Sequence, residues 1–72
     1  MSDDKVTIIR WLKREGEAVH EGDPIVELGT DIATITLEAW DNGTLRLFAK
    51  PGDAVRATDE IMRIERPDGF HA

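Results

Sequence analysis

An internal repeat at an offset of 36 residues constrains this chain more than any other feature. The stretch "EGEAVHEGDPIVEL" (15–28) lies over "PGDAVRATDEIMRI" (51–64), with identities at Gly16/Gly52, Ala18/Ala54, Val19/Val55, Asp23/Asp59 and Ile25/Ile61. Glu17/Asp53 keeps its charge, and Val26/Met62 and Leu28/Ile64 keep their apolar character. Further back, Ile9/Leu45, Arg10/Arg46 and Trp11/Leu47 also agree. Two copies are too few for a solenoid, which needs about three stacked units. Two copies of a strand–turn–strand unit predict a pseudo-twofold sandwich in which each half covers the other's apolar face. The 72 residues leave room for one core, read as a domain over 1–65 followed by a tail or linker over 66–72.

The local patterns are those of strands. Residues 6–12, "VTIIRWL", are β-branched and aromatic, without the spacing of three and four that marks a helix. Residues 33–39 alternate, with Ala33, Ile35, Leu37 and Ala39 on one face and Thr34, Thr36 and Glu38 on the other. Residues 44–49 repeat the pattern, with Leu45 and Leu47 inward. Turns fall at Glu15-Gly16, Gly22-Asp23-Pro24, Asp41-Asn42-Gly43 and Lys50-Pro51-Gly52-Asp53. Gly16 and Gly52 are expected to supply a positive φ. The predicted core is Ile9, Trp11, Val19, Ile25, Val26, Leu28, Ile35, Leu37, Leu45, Leu47, Val55, Ile61, Met62 and Ile64, with Trp40 partly exposed.

Composition narrows the partners. Nine basic against fifteen acidic residues give a net charge of −6, which phosphate backbones repel, so nucleic acid is not expected. An acidic surface suits basic patches on other proteins. No apolar run reaches the roughly 18 residues that a membrane span needs, so no membrane partner is expected. There is no cysteine for a disulfide or a thiolate. The histidines, His20 and His71, lack metal-ligand spacing, and no calcium loop or phosphate loop is present. The lone serine, Ser2, has no base beside it, so independent catalysis is not expected. The carboxylates Glu15, Glu17, Glu21, Asp23 and Glu27 read as a solvated face.

The order "WLKREGEAVHEGDPIVEL…TDIATITLEA…GTL…AKPGDAV…DEIMRI" resembles the lipoyl/biotinyl carrier domain family over about residues 6–65. It is nearest the lipoyl domain of the dihydrolipoyl acyltransferase component of 2-oxo acid dehydrogenase complexes. The resemblance implies an all-β fold, a flattened barrel-sandwich of two antiparallel sheets with an internal pseudo-twofold. It also implies a cytoplasmic or mitochondrial-matrix setting. The implied protein partners are dehydrogenase, acyltransferase or lipoate ligase components.

In that family a lysine in a T-D-K-A turn at a hairpin tip carries the cofactor, lipoate. Here the turn is Thr30-Asp31-Ile32-Ala33, with Ile32 at the lysine position. Lipoylation makes an amide with a primary amine, and a hydrocarbon forms none. No cofactor is therefore expected on the chain as written. Lys5, Lys13 and Lys50 are other amines, but none belongs to this hairpin. Gly29 is a second departure, where the family usually has an acidic residue; it could loosen the hairpin base or adopt an unusual dihedral. A β-branched Ile32 favours a turn with negative central φ values, type I.

The family's first strand, which pairs with the last, is expected to be shortened or missing here. The counterpart of residues 35–39 lies 36 positions earlier, beyond Met1. Either the strand near 61–65 has an unpaired edge, open to self-association, or residues 2–6 form a short edge strand. The alternative function is a non-carrier binding or assembly module, as in export-machinery adaptors. In those adaptors a long helical insertion separates the two halves of the domain. No such insertion lies between Thr30 and Ala33.

Overall fold

A computed structural model describes residues 5–56 and 58–66 of the chain. Seven strands follow in order: β1 (Lys5–Trp11), β2 (Ala18–Val19), β3 (Pro24–Gly29), β4 (Thr34–Glu38), β5 (Gly43–Leu47), β6 (Ala54–Arg56) and β7 (Met62–Glu65). No helix occurs among the described residues. One sheet has four strands in the order β4-β3-β1-β6, the other three in the order β2-β5-β7, and every pairing is antiparallel. The expected all-β, two-sheet architecture is therefore present. Ser2, His71 and the tail beyond Arg66 lie outside the described residues.

The repeat is written into the hydrogen bonds. Leu12 N–H donates to Ile25 at 2.7 Å, and its image Phe48 N–H donates to Ile61 at 2.9 Å. Gly16 N–H donates to the Leu45 carbonyl at 2.8 Å, and Gly52 N–H to the Ile8 carbonyl at 2.7 Å. Each half thus reaches across to brace the other. Gly16 and Gly52 have φ of 81° and 92°, in the left-handed region where a Cβ is strained, as the turns required. Under the offset β3, β1 and β6 map onto β7, β5 and β2, and the image of β4 falls outside the described residues. Among the described residues the three-stranded sheet is the four-stranded one without a counterpart of β4.

The core is Ile8, Val19, Ile25, Val26, Leu28, Ala39, Leu45, Met62 and Ile64. Trp11, Leu37, Leu47, Val55 and Ile61 are partly buried against it. Trp11 fills core space while its indole N–H donates to the Ala49 carbonyl at 3.0 Å, so the buried ring leaves no polar atom unsatisfied. Trp40 is 50% exposed, in line with the sequence.

Two core assignments are corrected. Ile9 is 43% exposed and Ile8 takes its place. The register slips between Ile8 and Arg10 opposite β3, a β-bulge that turns the alternation of β1 over. Accordingly Leu45 corresponds to Ile8 in the cross-bracing bonds, while Trp11 still corresponds to Leu47. Ile35 stands opposite buried Leu28 and shares its face, yet it is 43% exposed, because β4 is an edge strand.

Gly43, buried beside β7, is needed for close approach rather than for its φ. A Cβ there would press on the Glu65 carbonyl and come within 2.9 Å of Ile64 Cγ2.

In the acidic run Glu15, Glu17 and Glu21 are exposed and Asp23 and Glu27 half-buried, and the run is not idle. Glu17 accepts a hydrogen bond from Arg14 N–H at 2.8 Å and Asp23 one from His20 N–H at 2.9 Å. Their images repeat this: Asp53 accepts from Lys50 N–H and Asp59 from Arg56 N–H, both at 2.9 Å. These carboxylates close the turns on which the strands depend.

Candidate functional site

The hairpin between β3 and β4 gathers the five sequence-predicted positions, Gly29, Thr30, Asp31, Ile32 and Ala33, into one tip. Its base is the pair Gly29↔Thr34, the last of the β3–β4 ladder. Gly29 does not take a positive φ. Its missing side chain instead makes room for Ile9, whose Cδ1 lies 3.1 Å from where a Cβ would be. The bulge in β1 and the glycine of β3 are thus one packing arrangement, in which Ile9 occupies the space a side chain at 29 would need.

Thr30 organises the turn. Its backbone N–H donates to the Ala33 carbonyl at 2.8 Å, and its hydroxyl donates to the same carbonyl at 3.1 Å. The hydroxyl oxygen also accepts from Ala33 N–H at 3.0 Å and from Ile32 N–H at 3.3 Å. These bonds use only the backbone of residues 32 and 33, so the tip is closed without help from the side chain at 32. Sequence reasoning passed over Thr30 as a structural residue. A threonine opening a four-residue turn was the available signal.

Ile32 is 94% exposed, the extreme among the large apolar residues described. A side chain this free can be reached from all sides, but a sec-butyl group offers no nucleophile, acid, base or ligand. The other amines stand apart from the tip. Lys13 lies within 4.0 Å of Glu17, beside a different turn, and Lys50 sits exposed before Pro51. Lys5 opens β1, which is antiparallel to β3 with Thr7 opposite Gly29. Lys5 therefore stands at the tip's end of the sheet, one strand away from the hairpin. Among the described residues no three His, Cys, Asp or Glu side chains converge as a metal site.

A two-sheet fold with an internal twofold, displaying one four-residue turn, defines a class. The chain belongs to the biotin/lipoyl family: the family model described as "Biotin-requiring enzyme" matches residues 2–65. Domains of this class are carriers and are non-catalytic by themselves, because the attached group does the chemistry. The chain is 37% identical over 65 residues to the dihydrolipoyllysine-residue acetyltransferase component of the pyruvate dehydrogenase complex of Rhizobium meliloti, across 85% of this chain and 14% of that protein. The corresponding component of Rickettsia bellii is 50% identical over 44 residues, 61% of this chain and 10% of that protein. The mitochondrial pyruvate dehydrogenase protein X component of Mus musculus is 53% identical over 38 residues, 53% of this chain and 8% of that protein. The chain thus spans about a tenth of the length of these relatives.

Proposed function

We propose that this chain is a lipoyl-type domain of a 2-oxo acid dehydrogenase acyltransferase system in which Ile32 occupies the attachment position, so that no lipoate is carried there. The observation that supports this most is the position of Ile32, almost fully exposed at the apex of a turn whose bonds do not involve its side chain. That is the placement a cargo-bearing side chain needs, and a hydrocarbon fills it. Amide formation requires an amine nitrogen, and within residues 30–33 no side chain has one.

On this reading the domain keeps the recognition surface of its class without the cargo. Its partners are protein components of such a complex, whether dehydrogenase, acyltransferase or lipoate ligase, in the cytoplasm or the mitochondrial matrix. The pyruvate dehydrogenase components among its relatives support that assignment.

The test is to offer Ile32→Lys and the unaltered chain lipoate, ATP and a lipoate ligase, and to weigh the intact products. The variant gains one lipoyl group and the unaltered chain gains none. Peptide mapping locates the gain at position 32. Failure of the variant to gain mass would overturn the reading of position 32 as an attachment site that lacks only its amine, and would mean that the hairpin geometry has diverged as well. A lipoyl group on the unaltered chain, with Lys5 the first position to map, would overturn the loss of cargo alone.

A further inference from the structure

The turn Asp41-Asn42-Gly43 joins β4 of one sheet to β5 of the other. Asn42 is exposed, yet its Oδ1 accepts from the backbone N–H of Glu21 at 2.8 Å, and its own backbone N–H donates to Asp41 Oδ1 at 2.8 Å. Gly43 is buried opposite Val19 of β2, where a Cβ would come within 2.9 Å of Ile64 Cγ2. Packing therefore demands glycine at 43, and the Glu21 amide gives asparagine a use at 42. Together they form the dipeptide in which an asparagine side chain is most open to attack, because glycine has no Cβ to shield its nitrogen.

We propose that Asn42 is a site of self-modification, converted by water to aspartate and isoaspartate, and that the hydrogen bond from Glu21 sets its rate. The Gly43 nitrogen attacks Asn42 Cγ. A C–N bond forms, the Cγ–Nδ2 bond breaks, and ammonia leaves with the proton of the Gly43 amide. Water then opens the cyclic imide at either carbonyl, giving aspartate or isoaspartate with no change of oxidation state. The ring closes only when the Asn42 side chain and the peptide unit joining it to Gly43 turn toward each other. The Glu21 bond and the β2–β5 pairing at Gly43 therefore open first, a local unfolding event. The two products differ in effect. Aspartate keeps an acceptor for the Glu21 amide. Isoaspartate lengthens the main chain by a methylene just before Gly43, where β7 leaves no slack. The site is separate from the hairpin tip and does not depend on the reading of Ile32.

The brake can be removed by itself. Glu21 takes the second place of a turn in which Asp23 N–H donates to the His20 carbonyl at 2.9 Å and Gly22 has a φ of 92°. The turn over 50–53 has the same bond at 3.0 Å and the same φ at Gly52, with Pro51 in that second place. Glu21→Pro therefore keeps the turn and removes the donor to Asn42.

The test keeps four samples in warm, mildly alkaline buffer: the 72-residue chain, Glu21→Pro, Asp59→Ala and a synthetic peptide of residues 38–46. Asn42 is the chain's sole side-chain amide, so an amide-to-acid mass gain of the intact chain reports on it alone, and peptide mapping separates isoaspartate from aspartate. The expected result is conversion slower in the chain than in the peptide. Glu21→Pro converts about fivefold faster than the unaltered chain, the factor that one hydrogen bond is worth. Asp59→Ala, which loses a comparable bond in the other half, leaves the rate at Asn42 unchanged. Failure of both the unaltered chain and Glu21→Pro to convert while the peptide is consumed overturns the site. Equal rates with and without the Glu21 donor overturn its control of the reaction. So does an equal acceleration by Asp59→Ala, which would place the opening in global unfolding.

Discussion

At the scale of single residues, the tip depends on Thr30 and not on Ile32. Thr30→Val keeps shape and β-branching but removes the hydroxyl that accepts from two backbone N–H groups and donates to a carbonyl. The expected loss is about 1 kcal/mol, since hydrogen bonds at exposed sites contribute little each, measured by urea unfolding. The informative readout is kinetic: in the Ile32→Lys background, Thr30→Val slows lipoylation, because the ligase must then capture the tip from a looser ensemble. Equal rates with and without the hydroxyl would show that tip geometry is not set by Thr30.

The same scale shows what could and could not be read in advance. The partly exposed Trp40 and the positive-φ pair Gly16/Gly52 were legible, because each follows from chemistry local to a turn or strand, whereas the place of Ile32 at a hairpin tip was read from the family resemblance. Ile9 was not legible. Alternation is a local rule, and one extra residue in β1 reverses it without leaving a mark in composition. Gly29 was misread for a related reason. A glycine can serve a dihedral or a close approach, and only the position of Ile9, distant in sequence, separates the two.

At the scale of elements, the turns are built twice to one plan. Glu17 and Asp53 each accept from the N–H three residues earlier, and so do Asp23 and Asp59. Replacing Asp23 or Asp59 by alanine removes one side-chain-to-backbone bond and is expected to destabilise by about 1 kcal/mol in each case. Thermal or urea unfolding of the two single variants checks the plan. A difference of several kcal/mol between them would show that the halves are not energetically equivalent. The four strands that the sequence bounded, 6–12, 33–39, 44–49 and the one near 61–65, lie within about two residues of β1, β4, β5 and β7, while β2, β3 and β6 were given no bounds. The carboxylates' role in the turns was not legible, since a run of acids on a small domain has a sufficient explanation in solubility.

At the scale of the whole molecule, charge ties the first β1–β2 turn to the second sheet. Glu15 Oε1 accepts from Leu47 N–H at 2.7 Å, and Oε2 pairs with Arg46 at 3.0 Å. Arg46 also pairs with Glu65 of β7 at 3.1 Å. The Leu47 amide, and after it the Arg46 guanidinium, hold the Glu15 carboxyl below its ordinary value of 4.5. A carboxyl that ionises more readily when folded adds stability above its unfolded value. That stability is lost as pH falls from there through the folded value. Stability should therefore decline on acidification below about pH 4.5, and Glu15→Gln should flatten that decline, because glutamine keeps an acceptor for Leu47 N–H but has no proton to take up. Unfolding midpoints of both proteins between neutral pH and pH 3 measure it. Parallel curves would remove Glu15 from the acid response. The group is exposed, so salt weakens the effect.

The way the tip closes has a consequence for how this chain can change over generations. The bonds that shape the turn run through the Thr30 hydroxyl and the backbone, so none of them draws on the side chain at the apex. The side chain there can be exchanged without a compensating change in the bonds of the turn. Selection for a folded protein leaves that codon unguarded, and only selection for what the apex delivers can keep it fixed.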